Sequence, residues 1–210
     1  MKSSKVISAL LCASVILGCA GCSTQVKETA GSSEPSMTLS DNVILTNYAN
    51  DGFLEGYDTF EVASPDLVDG IWQDVISNTF LGENASPELT WSPVEGAEEY
   101  VIYMVDMNSN GYLQWKSGGI RETSLPRGWA PKLLEYNGPH VGHGDTHQYD
   151  VFVVALKAPA GRLRGGINGI NPQMASFIKG LDIDENGNSG NIIAYGRISG
   201  LFTDARYRDI

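Results

Sequence analysis

Asn137-Gly138-Pro139-His140-Val141-Gly142-His143-Gly144-Asp145-Thr146-His147-Gln148-Tyr149-Asp150-Val151-Phe152-Val153-Val154-Ala155-Leu156 is the stretch from which the fold is read. Its opening part, Asn137 to Tyr149, carries three glycines, a proline and all three histidines of the chain, which makes it a poor helix and a good loop. Its second half is rich in Val and Phe and apolar on both faces, the composition of a strand buried between two layers. A loop that feeds a buried strand gathers the imidazoles at a strand end, where a ligand could be held.

Working outward, Tyr100-Val101-Ile102-Tyr103-Met104-Val105 shares with Gln148 to Lys157 the pattern of apolar residues on both faces. Phe60 to Ser64 alternates apolar with polar residues and predicts a strand, closed by turn chemistry from Pro65 to Gly70. Ser86-Pro87-Glu88-Leu89-Thr90-Trp91-Ser92-Pro93 reads as an edge strand, because a proline cannot donate to a ladder. Asn191 to Phe202 reads as two short strand-like runs broken at Gly196 and Gly200. One helix is expected: Asn171 as its cap, Pro172 in its first position, Met174, Phe177 and Ile178 on one face, and Gly180 as its stop. Many short strands, Gly/Pro turns and one or two small helices predict a mainly all-β chain, a two-sheet antiparallel β-sandwich.

The 210 residues, 42% of them hydrophobic, suffice for one core. At the N-terminus, Lys2 and Lys5 precede the apolar run Val6 to Leu17, too short to span a bilayer, so residues 1–18 are expected to be a signal peptide. Ile16-Leu17-Gly18-Cys19 resembles a bacterial lipobox, which makes Cys19 the expected lipidated residue, with Cys22 the alternative. Residues 19–45, containing the Ser-, Thr-, Gly- and Glu-rich segment Ser23 to Ser36, are expected to be a flexible tether, and residues 46–210 the folded domain. A lipid on Cys19 would hold the exported domain on the extracytoplasmic face of a bacterial membrane. The sequence has no cysteine beyond Cys22, so the domain is expected to rest on its core without a disulfide. The net charge of −11 becomes −13 once Lys2 and Lys5 are removed, a surface that repels nucleic acid and anionic headgroups.

Ser86-Pro87-Glu88-Leu89-Thr90-Trp91, Asp106 at the end of a buried strand, Trp115, Gly138-Pro139 followed by Gly144, His147 and Tyr149, and Gly200-Leu201-Phe202 occur in the order seen in one family. The chain resembles a bacterial lipoprotein member of the phosphatidylethanolamine-binding protein family, also called the Raf kinase inhibitor protein family, over roughly Phe60 to Phe202. The resemblance implies a two-sheet sandwich with a small anion pocket at one end, built from an Asp, two His and a C-terminal aromatic. It also implies phosphate-like or phospholipid-headgroup ligands, and in some eukaryotic members inhibition of kinases or proteases, so a protein is the second partner class. Carried over, Asp106 is the pocket Asp, His147 the second His and Tyr149 its partner, with Gly138 and Pro139 in the loop. The chain departs at Leu113-Gln114-Trp115, where Gln114 stands for the first His, at Phe202, which stands for a Tyr, and at Asp106-Met107-Asn108-Ser109-Asn110, where an Asp-Pro-Asp-Ala-Pro run is common.

The chemistry of those residues can be stated alone. If His147 begins a strand, His147, Tyr149 and Val151 share a face, and an imidazole and a phenol stand side by side as donors. Asp106 within reach would fix the tautomer of His147 and favour its charged form. Gln114 could donate only as a neutral amide, a weaker hold on an anion. His140, His143 and His147 have a loop-like spacing with no nearby Cys or Glu to complete a zinc set. Asp182, Asp184, Asn186 and Asn188 fit the first positions of a calcium loop, but the twelfth is Ile193, so calcium is the one alternative to an expected absence of cofactors. No nucleophile elbow, zinc-protease motif or phosphate loop is present, which predicts a non-catalytic binding or inhibitory module. The alternatives are a pocket hydrolase using His147 and Asp106, and a structural lipoprotein whose pocket has decayed.

Overall fold

The computed structural model describes residues 53–142 and 144–204. The expected signal peptide, Cys19, Cys22, the tether and His143 lie outside the described residues. The strands are β1 (Asp58–Thr59), β2 (Val62–Ala63), β3 (Leu67–Val68), β4 (Ile71–Trp72), β5 (Leu89–Trp91), β6 (Glu99–Asp106), β7 (Tyr112–Ile120), β8 (Ser124–Leu125), β9 (Thr146–Leu156), β10 (Gly169–Ile170) and β11 (Ile192–Thr203). One α-helix, α1 (Met174–Lys179), runs directly into a 3-10 turn at Gly180–Asp182, and a second 3-10 turn spans Asp74–Ile76.

The strands form a large sheet of order β10-β7-β6-β9-β11-β4-β3, with β1 added beside β11, and a small sheet of order β2-β5-β8. Pairing is antiparallel except where β11 meets β1 and β4 in parallel. The expected two-sheet sandwich is therefore the architecture of the chain. Its central strands are the two that are apolar on both faces: all eight residues of β6 are buried, and so are the last eight of β9.

The alternation of side chains along β6 and β9 supplies two cores at once. Tyr100, Ile102, Met104, Val151, Val153 and Ala155 face the small sheet, against Val62, Leu89, Trp91 and Leu125. Val101, Tyr103, Val105, Phe152, Val154 and Leu156 face the other way, against Met174 and Ile178 of α1 and Phe53 and Leu54. Each such fully buried aliphatic or Phe side chain contributes about 1.5–3 kcal/mol of transfer free energy.

The Ser-Pro-x-Leu-x-Trp segment works as a joint. The Ser86 hydroxyl accepts the amide of Ala130 at 3.0 Å, the amide of Glu88 donates to the buried carboxylate of Asp66 at 2.8 Å, and Leu89 and Trp91 enter the core. The expectation of an edge strand is corrected: β5 lies between β2 and β8, because Pro87 and Pro93 fall outside the three paired residues. The turn expected from Pro65 to Gly70 contains more than a turn. Asp69 and Gly70, both at positive φ, join β3 to β4 as a two-residue hairpin.

β11 is a single strand and not two broken runs. Gly196 and Gly200 interrupt nothing, and they are glycines because other groups cross them. A Cβ at Gly196 would collide with Val62 and Phe60, and one at Gly200 with Leu67 and the indole of Trp72. The helix also differs from its expectation at both ends. Asn171 does not cap it with its side chain, whose amide instead ties the carbonyls of Gly166 and Gly169, and the helix begins after Gln173. Gly180 does not stop it in a left-handed turn but stays right-handed and tightens into the 3-10 turn.

Candidate functional site

The neighbouring ends of β6, β7 and β9 meet in register, Asp106 opposite both Tyr149 and Tyr112. That register brings the end of β6 to the first residues of β9. Asp106, only 3% exposed, holds Nδ1 of His147 with Oδ2 at 2.7 Å. The loop that follows β6 folds back on this pair: the amide of Asn108 donates to Asp106 Oδ1 at 2.9 Å, and the Ser109 hydroxyl donates to Oδ2 at 2.9 Å while lying 3.3 Å from His147 Nδ1. Asn108 Oδ1 accepts the amide of Gln148 at 2.7 Å, so the loop is stitched to β9 as well.

Desolvation is the largest influence on His147 and pulls its pKa down. The hydrogen bond and charge of Asp106, with the charge of Asp145, outweigh it and leave the pKa raised above the ordinary imidazole value. The pair therefore contributes its stability in full below about pH 6.5, the unfolded value, and loses it as pH climbs through the raised folded value. No hydrogen bond among the described residues engages His147 Nε2; because Asp106 keeps the proton of the neutral ring on Nδ1, Nε2 accepts in the neutral form and donates once the ring is protonated.

A cavity of about 450 Å³ opens beside this pair, lined by Asn78, Asp106, Ser109, Tyr112, Gln114, Asn137, His140 and Asn168. Its amides are mutually oriented: Asn78 donates to Asn137 Oδ1 at 3.0 Å, and Asn137 Nδ2 donates to Asn168 Oδ1 at 2.7 Å. Tyr112 donates to that same Asn168 oxygen at 2.5 Å. With its oxygen twice engaged, Asn168 presents its Nδ2 as a fixed, unspent donor. Burial first and the Asp106 charge second raise the pKa of Tyr112, which keeps the phenol a donor.

Of the residues singled out in the sequence, Asp106 and Gln114 line the cavity, and His147 stands against Asp106. Gln114 is 2% exposed, and in the amide orientation that satisfies its surroundings it donates to the carbonyl of Gly138 at 3.1 Å and to that of Asn137. Its NH2 group thus holds the loop and is not turned to a ligand. Gly138 and Pro139 dock that loop from the other side: the Gly138 amide donates to Asn84 Oδ1 at 2.7 Å, and the Pro139 carbonyl accepts the amide of Asn78 at 2.9 Å. Tyr149 and Phe202 are fully buried and meet edge to face, with ring centroids 6.4 Å apart. The Tyr149 hydroxyl has no partner in good hydrogen-bond geometry; burial first, then the neighbouring Asp106 carboxylate, hold its pKa well above the ordinary phenol value.

Sequence reasoning did not single out Asn78, Ser109, Tyr112 or Asn168. Ser109 has a usable signal in its Asp-x-x-Ser spacing, which suits a side chain returning to the carboxylate three residues earlier. The others lie far apart in sequence and carry none. The Asp182 to Asn188 loop sits elsewhere. Its carboxylates are engaged internally, Asp184 Oδ1 by the amides of Asn186 and Asn188 at 2.8 Å and Asp182 by the amides of Gly190 and Ile192 at 3.1 Å.

No family model matches the sequence, and no curated protein matches it. Solved structures do. E. coli YbcL, described as a member of the mammalian phosphatidylethanolamine-binding protein family, superposes with a TM-score of 0.52 at 22% identity, covering 68% of this chain and 97% of its own. The chain has the phosphatidylethanolamine-binding protein fold. CT736 of Chlamydia trachomatis, described as a homolog of phosphatidylethanolamine-binding protein, gives a TM-score of 0.50 at 16% identity over 70% of this chain and 99% of its own. On that fold, the cavity sits at the end of the two central strands of the large sheet.

Replacing Asp106 by Asn removes the carboxylate that offsets desolvation at His147 while keeping the size of the side chain. The His147 pKa is expected to fall from its raised value, read by NMR titration of the imidazole protons. An unchanged pKa would mean that Asp106 does not set the charge of His147.

Proposed function

We propose that the cavity takes a small phosphate-bearing ligand, such as a phospholipid headgroup or a phosphorylated metabolite presents. The protein is then a non-catalytic binding or inhibitory module and a bacterial lipoprotein member of the phosphatidylethanolamine-binding protein family. In this reading a lipid on Cys19 tethers it to the extracytoplasmic face of a bacterial membrane. The observation that carries the reading is the 2.7 Å contact between Asp106 and His147 beside a cavity rimmed with amide, hydroxyl and imidazole groups. A lone carboxylate would repel an anion. A protonated His147 cancels that charge and leaves Nε2 to donate, along with Asn168 Nδ2 and His140. No Lys or Arg lines the cavity, so the hold on phosphate rests on neutral donors and one imidazolium.

The same geometry argues against a hydrolase of the Ser-His-Asp kind. In such a triad the acid holds one ring nitrogen and the serine the other. Here Asp106 and Ser109 both approach Nδ1 of His147, and the Ser109 hydroxyl donates its hydrogen bond to Asp106, so the imidazole is not positioned as the base for the serine.

The test is equilibrium binding of phosphoethanolamine at a pH below the His147 titration, with the ligand recovered and analysed. Saturable binding with intact ligand, weakened in His147→Ala, is expected. Release of inorganic phosphate would replace this reading by the hydrolase. In cells, Cys19→Ser should free the protein from membranes; release by Cys22→Ser alone would move the lipid to Cys22.

A further inference from the structure

A larger concavity, about 910 Å³, lies between β7, the loop after β9 and the end of α1. Its lining includes Lys116, Arg162 and Arg164, three cations in a chain whose net charge is −11. The loop is built to aim them. Leu163 packs over Gly118, where a Cβ would come within 3.0 Å of its Cδ1. The Tyr103 hydroxyl donates to the carbonyl of Arg164 at 3.1 Å, and Lys116 Nζ donates to the carbonyl of Gly165 at 2.5 Å. With Leu163 turned inward, both arginines are exposed on the groove side, and no hydrogen bond or ion pair engages their side chains among the described residues.

Two other arginines among the described residues are neutralised by buried acids. Arg127 is spent on Asp66 and Arg197 on Asp150. Asp184, the one acid on the groove wall, already accepts from Asn186 and Asn188. Burial first and the neighbouring Arg162 second lower the pKa of Lys116, and the charge of Glu135 opposes them only in part. The same wall carries the apolar side chains of Leu163, Phe177 and Ile183, the last 47% exposed.

We propose that this groove is a second ligand site, for a small amphiphilic anion whose carboxylate or phosphate is held by Arg162, Arg164 and Lys116 while its apolar body lies on Leu163, Phe177 and Ile183. The volume lies within the roughly 300–1,000 Å³ range of small-molecule sites. Two exposed guanidiniums and a fixed ammonium suit a planar or tetrahedral oxyanion. The proposal stands apart from the Asp106 cavity and does not depend on it.

The experiment uses the full chain carrying Cys19→Ser and Cys22→Ser, free of acyl groups and detergent, in equilibrium dialysis against dodecyl phosphate and dodecanoate below their micelle thresholds. Saturable binding of at least one is expected, and which binds tighter distinguishes a phosphate ester from a carboxylate. The further pair Arg162→Ser and Arg164→Ser, both on an exposed loop, should weaken it at least about tenfold. Dodecanol and inorganic phosphate alone should each bind at least about tenfold less tightly than the amphiphile, since each makes only half of the contacts. His147→Ala should leave this binding unchanged. Equal binding by the arginine variant, equal binding of dodecanol, or loss only in His147→Ala would overturn the proposal.

Discussion

Arg197→Leu is expected to destabilise the domain by about 3–5 kcal/mol, the usual consequence of stripping the partner from a buried charge. Asp150 lies in the middle of β9 with no exposed surface, and its Oδ2 accepts from Arg197 Nε at 2.9 Å and from Nη2. Only Gln148 Nε2, at 2.9 Å on Oδ1, would remain of these bonds. Arg197 also lies over the ring of Phe152, 5.3 Å from its centroid, so its stem is part of the packing. The pair clamps β9 to β11, the two strands that carry His147 and Phe202 as direct partners. Urea unfolding measures the loss, read as a shift in midpoint at constant slope. Adding Asp150→Asn to Arg197→Leu should recover part of it, because an amide leaves no stranded charge. A loss under about 1 kcal/mol would show that the pair behaves like a solvent-exposed one.

Gly138→Ala is the second large effect expected, at or beyond the upper end of the roughly 1–3 kcal/mol that overpacking costs. A Cβ there would fall on the carbonyl oxygen of Ile76 and come within 3.1 Å of the amide nitrogen of Asn78. Both obstacles are backbone, so no side chain can swing away to make room. The loop would have to lift, breaking the bonds of Gly138 to Asn84 and of Pro139 to Asn78 and displacing Asn137 and His140 from the cavity wall. Phosphoethanolamine binding should therefore fall together with stability. A variant as stable as the parent would mean that the loop tolerates a second position.

Several parts of this fold can be read from the chain alone. Tyr100 to Val105 and Val151 to Leu156 are apolar at every position or nearly so, and a strand of that kind can only lie between two covered faces. The sandwich follows from those two runs, and the order of the Ser-Pro-x-Leu-x-Trp and His-x-Tyr segments points to the same fold. The strands β1 to β4 have two residues each, too short to carry a period, and their pairing is decided by what packs on them. Gly196 and Gly200 look like breaks because composition does not reveal that Phe60, Val62, Leu67 and Trp72 pass over them. The prolines around β5 mislead for a related reason: a three-residue ladder leaves its flanks outside the sheet, even in the middle of it.

At the site, the pairing of Asp106 with His147 could be anticipated from one carboxylate at a strand end and one imidazole at a strand start. The direction of the other side chains could not. Gln114 turns its amide to the loop carbonyls, and Tyr149 and Phe202 turn into the core, because the position of the 137–140 loop decides which end of each group meets open space. Ser109 and Asn168 enter from loops, where no periodicity marks them. The basic groove was equally hidden, since Lys116 and the two arginines are some 46 positions apart and meet only through the backbone bonds of Arg164 and Gly165.

The central claim is a working phosphate cavity whose charge is set by the pairing of Asp106 with His147. It is tested most directly by NMR titration of the full chain carrying Cys19→Ser and Cys22→Ser with phosphate and phosphoethanolamine, at one pH below and one above the His147 titration. Saturable shifts at Asp106, Gln114, His147 and Asn168, tighter at the lower pH, are predicted, because protonated His147 both cancels the carboxylate and supplies a donor. Silence at those residues at both pH values, or shifts of equal strength at both, would contradict the account.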